Sequence, residues 1–322
     1  MLSLHRFFSI GIVKMDRKQI KGYALGIIGS ACYGLNPLFA LPLYQQGFTP
    51  DSTLFYRYFF AIILLAILMK YHGQSFALKR NEIVPLFTMG ILFSLSSLTL
   101  FLSYNYMDAG IASTILFLYP IMVALISAAF FHEKLKPITI FAILMAFWGI
   151  SLLKENGSGK PMNMIGLGLV AISALSYAIY LVAVNRSVLK TMPTEKLTFY
   201  SILFGISVYV VRLNLLTDLQ PLTTPSMWMN AIGLALMPTV ISLITITVSI
   251  HLIGSTPTSI LGALEPVTAL FCGVLVFGES LTFMNIIGIL MVLSAVTIIV
   301  TVKPISRFIR YEQLQYIRWR RK

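Results

Sequence analysis

Long apolar runs separated by short polar segments dominate the chain and predict membrane-length helices. Each run holds about 18–25 residues, which as α-helix at ~1.5 Å per residue spans the ~30 Å hydrocarbon core of a bilayer. The runs lack the alternation of apolar and polar positions that marks a transmembrane β-barrel. We therefore predict ten transmembrane helices, at residues 20–43, 52–70, 82–105, 110–131, 137–154, 163–189, 195–216, 228–252, 257–277 and 283–302.

Composition excludes a soluble protein. Of the 322 residues, 57% are hydrophobic and only 11% are charged. A soluble domain carries roughly 25% charged residues, so this chain has too few to cover a soluble core of its size. We expect an all-α integral membrane protein.

Lysine and arginine are concentrated in alternate loops and in the tails, and this pattern predicts the orientation of the helices. The basic clusters at 14–21, 70–80, 134–136, 186–196 and 303–322 would share one side, whereas the opposite loops carry little beyond Lys154 and Lys160. The side rich in positive charge is normally cytoplasmic, so both termini are expected inside. The net charge of +13 then reflects topology and contact with anionic lipid, and nucleic acid is not an expected partner.

One stretch of sequence occurs twice at a constant offset. Pro120 and Pro266 are 146 positions apart, and the same offset pairs Glu133 with Glu279. We interpret this as a duplication, with a first unit at 20–155 and a second at 163–302, flanked by a segment at 1–19 and a basic tail at 303–322. Five helices per unit is an odd number, so the units would have opposite orientations. Such inverted repeats are typical of secondary transporters.

The two ends of the chain leave alternatives open. Residues 1–14 faintly resemble a signal peptide without a cleavage site, and Met15 is an alternative start to Met1. The tail at 303–322 is either an amphipathic helix at the membrane interface or a disordered basic segment.

The duplicated stretch resembles the EamA domain of the drug/metabolite transporter superfamily. The first unit carries Tyr119-Pro120 followed by His-Glu-Lys-Leu at 132–135, and the second carries Leu264-Glu265-Pro266 followed by Gly-Glu-Ser-Leu at 278–281. The segments 32–37 and 57–61 also resemble the family's first two helices. The resemblance departs at Leu41-Pro42, where the family often has lysine, and in the second unit, which has no equivalent of Arg57.

The resemblance implies a central cavity between two inverted five-helix units and transport by alternating access. Bacterial members of this type export small metabolites such as amino acids across the cytoplasmic membrane. A small-molecule substrate is therefore the expected partner, with proton coupling or facilitated diffusion both open. Whether the protein forms a homodimer is also open.

Glu265 is the first candidate for chemistry, because it lies about eight residues into a predicted helix, near the bilayer centre. A carboxylate costs several kcal/mol at that depth unless it faces a cavity, finds a donor or is protonated. It could bind a cationic group or carry a proton during transport. The alternative is a protonated glutamate that only fixes helix packing.

Further candidates surround this residue in the repeat. Tyr119 occupies the position paired with Glu265, and Pro120 and Pro266 are expected to kink their helices, lining a cavity or only shaping the packing. Other polar residues inside predicted helices are either substrate contacts or links between helices: Asn36, Asn105, Tyr177, Tyr180, Ser242 and Thr245.

Charged residues near helix ends have two interpretations each. Arg57 is predicted close to the outer end of the second helix, as an anchor or ion-pair partner of Asp51 or Asp108, or as a gate at the outer mouth. Glu133 and Glu279 are predicted to cap the helices that follow them, with a gate contact as the alternative.

A secondary transporter is the function predicted, with a non-transporting sensor or scaffold as the alternative. We expect no enzyme, metal or cofactor, because the four histidines lie at helix ends or termini and the two cysteines lie in different apolar runs.

Overall fold

The protein's structure is a computed structural model that describes residues 16–131, 136–153 and 163–320. Predictions about Met1 and Met15, about Glu133 and about Lys154 and Lys160 lie outside the described residues. Within them all regular structure is helical. The helices are α1 (Arg17–Gly34), α2 (Asn36–Gln45), α3 (Pro50–Tyr71), α4 (Arg80–Ser103), α5 (Ala109–Leu116), α6 (Tyr119–Phe131), α7 (Pro137–Leu152), α8 (Met164–Arg186), α9 (Thr194–Arg212), α10 (Pro225–Ala235), α11 (Ser242–Ile253), α12 (Ser255–Leu261), α13 (Leu264–Phe277) and α14 (Phe283–Arg320). A 3₁₀ turn (Val188–Thr191) precedes α9, and a π-helical segment (Leu236–Ile241) joins α10 to α11.

Seven helical spans of the described residues are long and apolar enough to cross a membrane. They are Arg17–Gln45, Pro50–Tyr71, Arg80–Ser103, Ala109–Phe131, Met164–Arg186, Pro225–Ile253 and Phe283–Thr301. Pro137–Leu152 and Leu264–Phe277 are shorter apolar helices. Large apolar side chains such as Phe147, Trp148 and Phe271 are exposed on the outside of the bundle, where lipid would cover them. The prediction of an all-helical membrane protein is confirmed.

Four of the apolar runs are interrupted rather than continuous. Breaks fall at Leu35, at 117–118 and at 262–263, and the fourth run contains the π-helical segment. Each break has a proline within it or just after it: Pro37, Pro120, Pro238 and Pro266. Proline has no amide donor and clashes with the preceding turn, so the chain starts a new helix there instead of continuing the old one.

Several helix ends differ from the sequence-based bounds. The Thr49 side chain accepts a hydrogen bond from the Ser52 amide and Pro50 takes the first helical position, so α3 begins two residues earlier than predicted. α9 ends at Arg212, before a left-handed turn at 214–216. α14 continues as a helix to Arg320, past the predicted end at 302.

Glycines allow the closest helix contacts. A Cβ on Gly26 of α1 would lie 2.7 Å from the Ser249 hydroxyl of α11. Gly90 of α4 faces Gly205 of α9, and Gly149 of α7 faces Gly288 of α14, each at backbone contact distance. These small residues let the helices approach in the way common in membrane bundles.

Contacts between the two halves follow a reciprocal pattern. α4 packs on α8 and α9. The repeat relates α4 to α10–α11, α8 to α1 and α9 to α3, and these helices also meet, since α11 packs on α1 and α10 packs on α3. α6 packs on α8, and likewise α13 packs on α1. Two further pairs join equivalent helices of the halves, α3 with α9 and α7 with α14, and α5 packs on α13.

The bundle has two ends, and at each end a polar side-chain contact joins α3 or its C-cap residue to α9. At the Asp51 end, Arg212 donates to Asp51 at 2.5 and 3.1 Å. At the His72 end, the His72 ring lies 3.0 Å from the Glu195 carboxylate. Because α3 starts at the end where α9 finishes, the two helices run antiparallel.

Candidate functional site

A cavity of about 190 Å³ lies between the halves of the chain. The first half contributes residues of α1–α6, and the second contributes residues of α8, α9, α11, α13 and the π-helical segment. Its polar and charged lining comprises Tyr33, Asn36, Arg57, Ser96, Ser97, Tyr104, Ser113, Tyr119, Tyr177, Tyr180, Thr198, Ser201, Thr239, Ser242 and Glu265.

All four interrupted helical runs reach this cavity at their breaks. Tyr33 and Asn36 flank the break between α1 and α2, and Tyr119 follows the break between α5 and α6. Thr239 lies in the π-helical segment, and Glu265 follows the break between α12 and α13. Irregular backbone at membrane depth leaves amides and carbonyls unpaired unless protein or a water-filled space covers them. The breaks therefore place polar groups where a solute can meet them.

Glu265 lies in the first turn of α13 and lines the cavity. The free amides and the dipole at the start of this helix favour a negative charge there. No donor among the described residues contacts its carboxylate, so that group is available to a solute. The backbone nearby is tightly packed, since a Cβ on Gly34 would lie 2.3 Å from the Glu265 carbonyl oxygen.

Arg57 also lines the cavity and is only 3% exposed. Its Nε donates to the Thr239 hydroxyl at 3.0 Å, and its guanidinium carbon lies 5.5 Å from the centre of the Phe101 ring. Arg57 therefore lies deeper than the position close to the outer end of the helix that the sequence predicted. The earlier start of α3 places Arg57 about two turns into the helix. Asp51, one of its proposed partners, is paired with Arg212 instead.

An aromatic wall covers one side of the cavity. Tyr119 and Tyr177 meet edge to face with ring centres 4.8 Å apart, and Tyr177 stacks on Tyr180 at 5.9 Å. The ring centre of Phe93 lies 5.6 Å from that of Tyr180. Edge-to-face and offset ring pairs are favourable arrangements that hold such side chains in place.

Seven residues predicted as possible substrate contacts or as a gate line the cavity: Asn36, Arg57, Tyr119, Tyr177, Tyr180, Ser242 and Glu265. Asn36 is 4% exposed, and its Oδ1 atom has no hydrogen-bond partner, so it can accept from a solute. Pro266 also lines the cavity, whereas Pro120 starts α6 outside the lining. Asn105 is different. α4 ends at Ser103, so Asn105 lies exposed in the following turn and not inside a helix.

Several lining residues escaped the sequence analysis. Thr239 belongs to no motif that the sequence analysis recognised. Pro238 beside it interrupts an apolar run and could have indicated the π-helical segment. Ser96 and Ser97 lie in a serine-rich part of α4, and the Ser96 hydroxyl is 3.2 Å from that of Ser173. Tyr33 lies inside the family-like segment 32–37 but was not singled out there, and Phe93 carried no sequence signal, because aromatic residues are common in membrane helices.

Glu279 lies away from the cavity, at the Asp51 end, and joins the two halves. Its carboxylate accepts hydrogen bonds from the amides of Ala109 at 2.9 Å and Gly110 at 3.3 Å, at the start of α5. It therefore caps a helix of the opposite half rather than α14, the helix that was predicted. Burial raises the pKa of Glu279, while the hydrogen bond from Ala109 opposes that rise.

The part of the chain that the structure describes contains no group of three or more histidine, cysteine or acidic side chains arranged to hold a metal ion. Cys32 and Cys272 are both buried and free.

Comparison with known proteins identifies the family. Residues 20–154 and 164–301 each match the EamA-like transporter family. The chain is a member of this family. It is therefore a multi-pass membrane transporter of the drug/metabolite type.

Relatives of this EamA-like transporter have the same general description. The uncharacterized transporter YcbK of Bacillus subtilis is 24% identical over 286 residues, covering 84% of this chain and 90% of that protein. An uncharacterized transporter of Archaeoglobus fulgidus is 31% identical over 105 residues, covering 32% and 37% of the two chains. A solved structure described as "Crystal structure of protein" aligns with a TM-score of 0.62 at 19% identity, over 86% of this chain and 95% of the other. This last likeness concerns the fold alone.

Proposed function

We propose that this EamA-like transporter is a secondary transporter that exports a small metabolite, an amino acid or related compound, across the bacterial cytoplasmic membrane by alternating access. The observation that carries the proposal is the cavity formed jointly by both halves at four helix breaks, with Glu265 in its wall. Binding sites built from discontinuous helices between two halves are typical of such transporters.

The architecture proposed is ten membrane helices in two inverted repeats, at 20–155 and 163–302. In this count α1–α2, α5–α6, α10–α11 and α12–α13 each make one interrupted span. The reciprocal helix contacts support a two-fold relation between the halves. The antiparallel pairing of α3 and α9, the second helices of the two units, supports their opposite orientation. An interface with that symmetry can rock about a fixed central site.

The cavity chemistry supports a substrate with both a positive and a negative group. Arg57 and Glu265 bring opposite charges to one small cavity. A guanidinium binds a carboxylate well, and a carboxylate binds an ammonium group. The neighbouring aromatic wall suits an apolar part of the same molecule.

Glu265 also supports proton coupling, because a carboxylate in the cavity can alternate between binding a proton and binding a cationic group. Uniport is the alternative mechanism. A non-transporting sensor or scaffold is the alternative function, and an enzyme would need clustered reactive groups at membrane depth.

Both termini are proposed to be cytoplasmic, since the basic residues described at the His72 end outnumber those at the Asp51 end.

Two linked experiments test the function. A metabolite screen of the medium from overexpressing and deletion cells would nominate substrates. The purified protein in proteoliposomes should then move a nominated compound across the bilayer without changing it chemically. Chemical conversion of the compound would indicate an enzyme, and binding without flux would indicate a sensor. An imposed proton gradient that leaves the rate unchanged would indicate uniport.

A further inference from the structure

The seam between α5 and α13 at the Asp51 end holds a half-buried contact that the transport site does not use. The Glu279 carboxylate, from the loop after α13, binds the amides of Ala109 and Gly110 in the other half. These amides have no partner within their own helix, because the first amides of any α-helix lack one. The contact therefore satisfies α5 only while the two halves stay together.

Two glycines form a niche that fits this carboxylate. A Cβ on Gly273 of α13 would lie 2.0 Å from Glu279 Oε2, and one on Gly110 of α5 would lie 3.1 Å from the same atom. Gly110 also faces the Leu270 backbone at 2.9 Å. In the repeat, Ser127 and Thr256 stand at the positions related to Gly273 and Gly110, so this pair of glycines belongs to one seam only.

The neighbouring helix pair is held differently. α3 and α9 are joined at both of their ends, by Arg212 with Asp51 and by His72 with Glu195. If the two helices separated at the Asp51 end, the Arg212–Asp51 pair would break while the His72–Glu195 contact still joined them, and the reverse would hold at the His72 end. At the Asp51 end, the seam between α5 and α13 is closed by the contact of Glu279 with the Ala109 and Gly110 amides.

We propose that Glu279 is a conformational latch, which holds the cavity closed at the Asp51 end by binding the first amides of α5 and releases when that end opens. The inference rests on the proposed transport function, since a latch requires two states of access. Its test uses no substrate, so a failure of the latch and a failure of transport are separate results.

Thiol labelling in lipid nanodiscs tests the latch. In a Cys32→Ser, Cys272→Ala background, Ser113→Cys reports access to the cavity near Glu279, and Thr198→Cys reports access near the His72 end, since both positions line the cavity. Each reporter is combined with Glu279→Gln, and the labelling rate with a charged methanethiosulfonate is measured. Glu279→Gln should label Ser113→Cys about tenfold faster, the factor for losing about one charge-assisted hydrogen bond. Labelling at Thr198→Cys should stay unchanged or become slower.

A second variant keeps the charge of Glu279 and removes only the space that its carboxylate occupies beside Gly273. Gly273→Ala would place a methyl group where the carboxylate lies, so it should accelerate Ser113→Cys labelling as Glu279→Gln does. Gly168→Ala is the matched control, because a Cβ at Gly168 has nothing within 4 Å. Asp218→Asn is the control for loss of an acid at the same end, because the Asp218 carboxylate contacts the Asn214 side chain of its own turn. Neither control should change the labelling.

The outcomes separate cleanly. Faster labelling at Ser113→Cys alone, in both Glu279→Gln and Gly273→Ala, supports the latch. Unchanged labelling at Ser113→Cys overturns it, as does an equal increase in Asp218→Asn. An equal rise at Ser113→Cys and Thr198→Cys, with a lower thermal midpoint, would show general loosening and also overturn it.

Discussion

At the scale of single residues, Glu265 is the group on which the proposed transport chemistry depends. Its carboxylate faces the cavity and has no donor among the described residues. Glu265→Gln keeps the size and removes the charge, so transport of the screened substrate should fall by about tenfold or more, as expected when a charge-assisted contact worth about 1.5–3 kcal/mol is lost. Initial flux into proteoliposomes at matched protein content measures this.

The structure offers a polar control for that variant. Asn105 is exposed in the turn after α4, outside the cavity, so Asn105→Ala should transport at the unmodified rate. Full transport by Glu265→Gln at every pH tested would remove this residue from the mechanism.

Arg57 supports a second prediction at this scale. Its planar guanidinium binds Thr239 through Nε while facing the cavity, an arrangement that the single ammonium of lysine cannot reproduce. Arg57→Lys should therefore weaken substrate binding by about tenfold, equivalent to about 1.4 kcal/mol. Isothermal titration gives the affinity directly. Thr239→Val removes the acceptor but keeps the guanidinium and should have a smaller effect; an equal or larger effect would contradict this role for Arg57.

Residue-level prediction from sequence succeeded where the repeat gave the depth. The offset paired Tyr119 with Glu265, and both line the cavity just after a helix break. The sequence did not give the depth of Arg57, which depends on where α3 starts, or the position of Asn105 outside a helix, which depends on where α4 ends. Helix ends depend on local capping, and an end can move by one or two residues without any change in the hydrophobic pattern.

At the scale of helices, the contact between α1 and α13 shapes the cavity. Gly34 lets the end of α1 lie against the backbone at Glu265, where a Cβ would come within 2.3 Å of a carbonyl oxygen. Backbone cannot move aside as a side chain can, so Gly34→Ala should destabilise the protein by about 1–3 kcal/mol, as overpacking does. Thermal unfolding in detergent would show a lower midpoint.

A matched glycine tests whether crowding is the cause. Gly168→Ala in α8 adds the same methyl group to open space, so its midpoint should be unchanged or slightly higher. If Gly34→Ala and Gly168→Ala behave alike, the close approach of α1 and α13 does not limit stability.

The helices themselves were predictable, but their interruptions were only partly so. Apolar runs of membrane length mark the seven described spans that are long and apolar enough to cross a membrane, and prolines gave a signal for the breaks before Pro120 and Pro266. The partner of Glu279 was not predictable, because α5 meets this loop only through tertiary packing. The sequence shows that Glu279 lies shortly before α14, the next helix along the chain. It does not show that the side chain caps α5 instead.

At the scale of the whole molecule, the proposed orientation follows from charge. The described basic residues at or next to helix ends of the His72 end include Lys18, Lys70, Arg80, Lys136, Arg186 and Lys196, whereas Arg212 at the Asp51 end is paired with Asp51. Because positive loops stay in the cytoplasm, the His72 end and the start of α1 should face inward.

Single-cysteine labelling in intact cells tests this orientation. In the Cys32→Ser, Cys272→Ala background, Thr217→Cys at the Asp51 end should react with an impermeant maleimide added outside. Lys18→Cys and Ser75→Cys should react only after the membrane is permeabilised, and all three positions are exposed. A tag on the carboxyl terminus should behave like Lys18→Cys, because ten spans return the chain to its starting side. Ends that label from opposite sides would mean an odd number of crossings, which two five-helix units of opposite orientation cannot produce. That result would remove the inverted repeat and with it the physical basis for alternating access around Glu265.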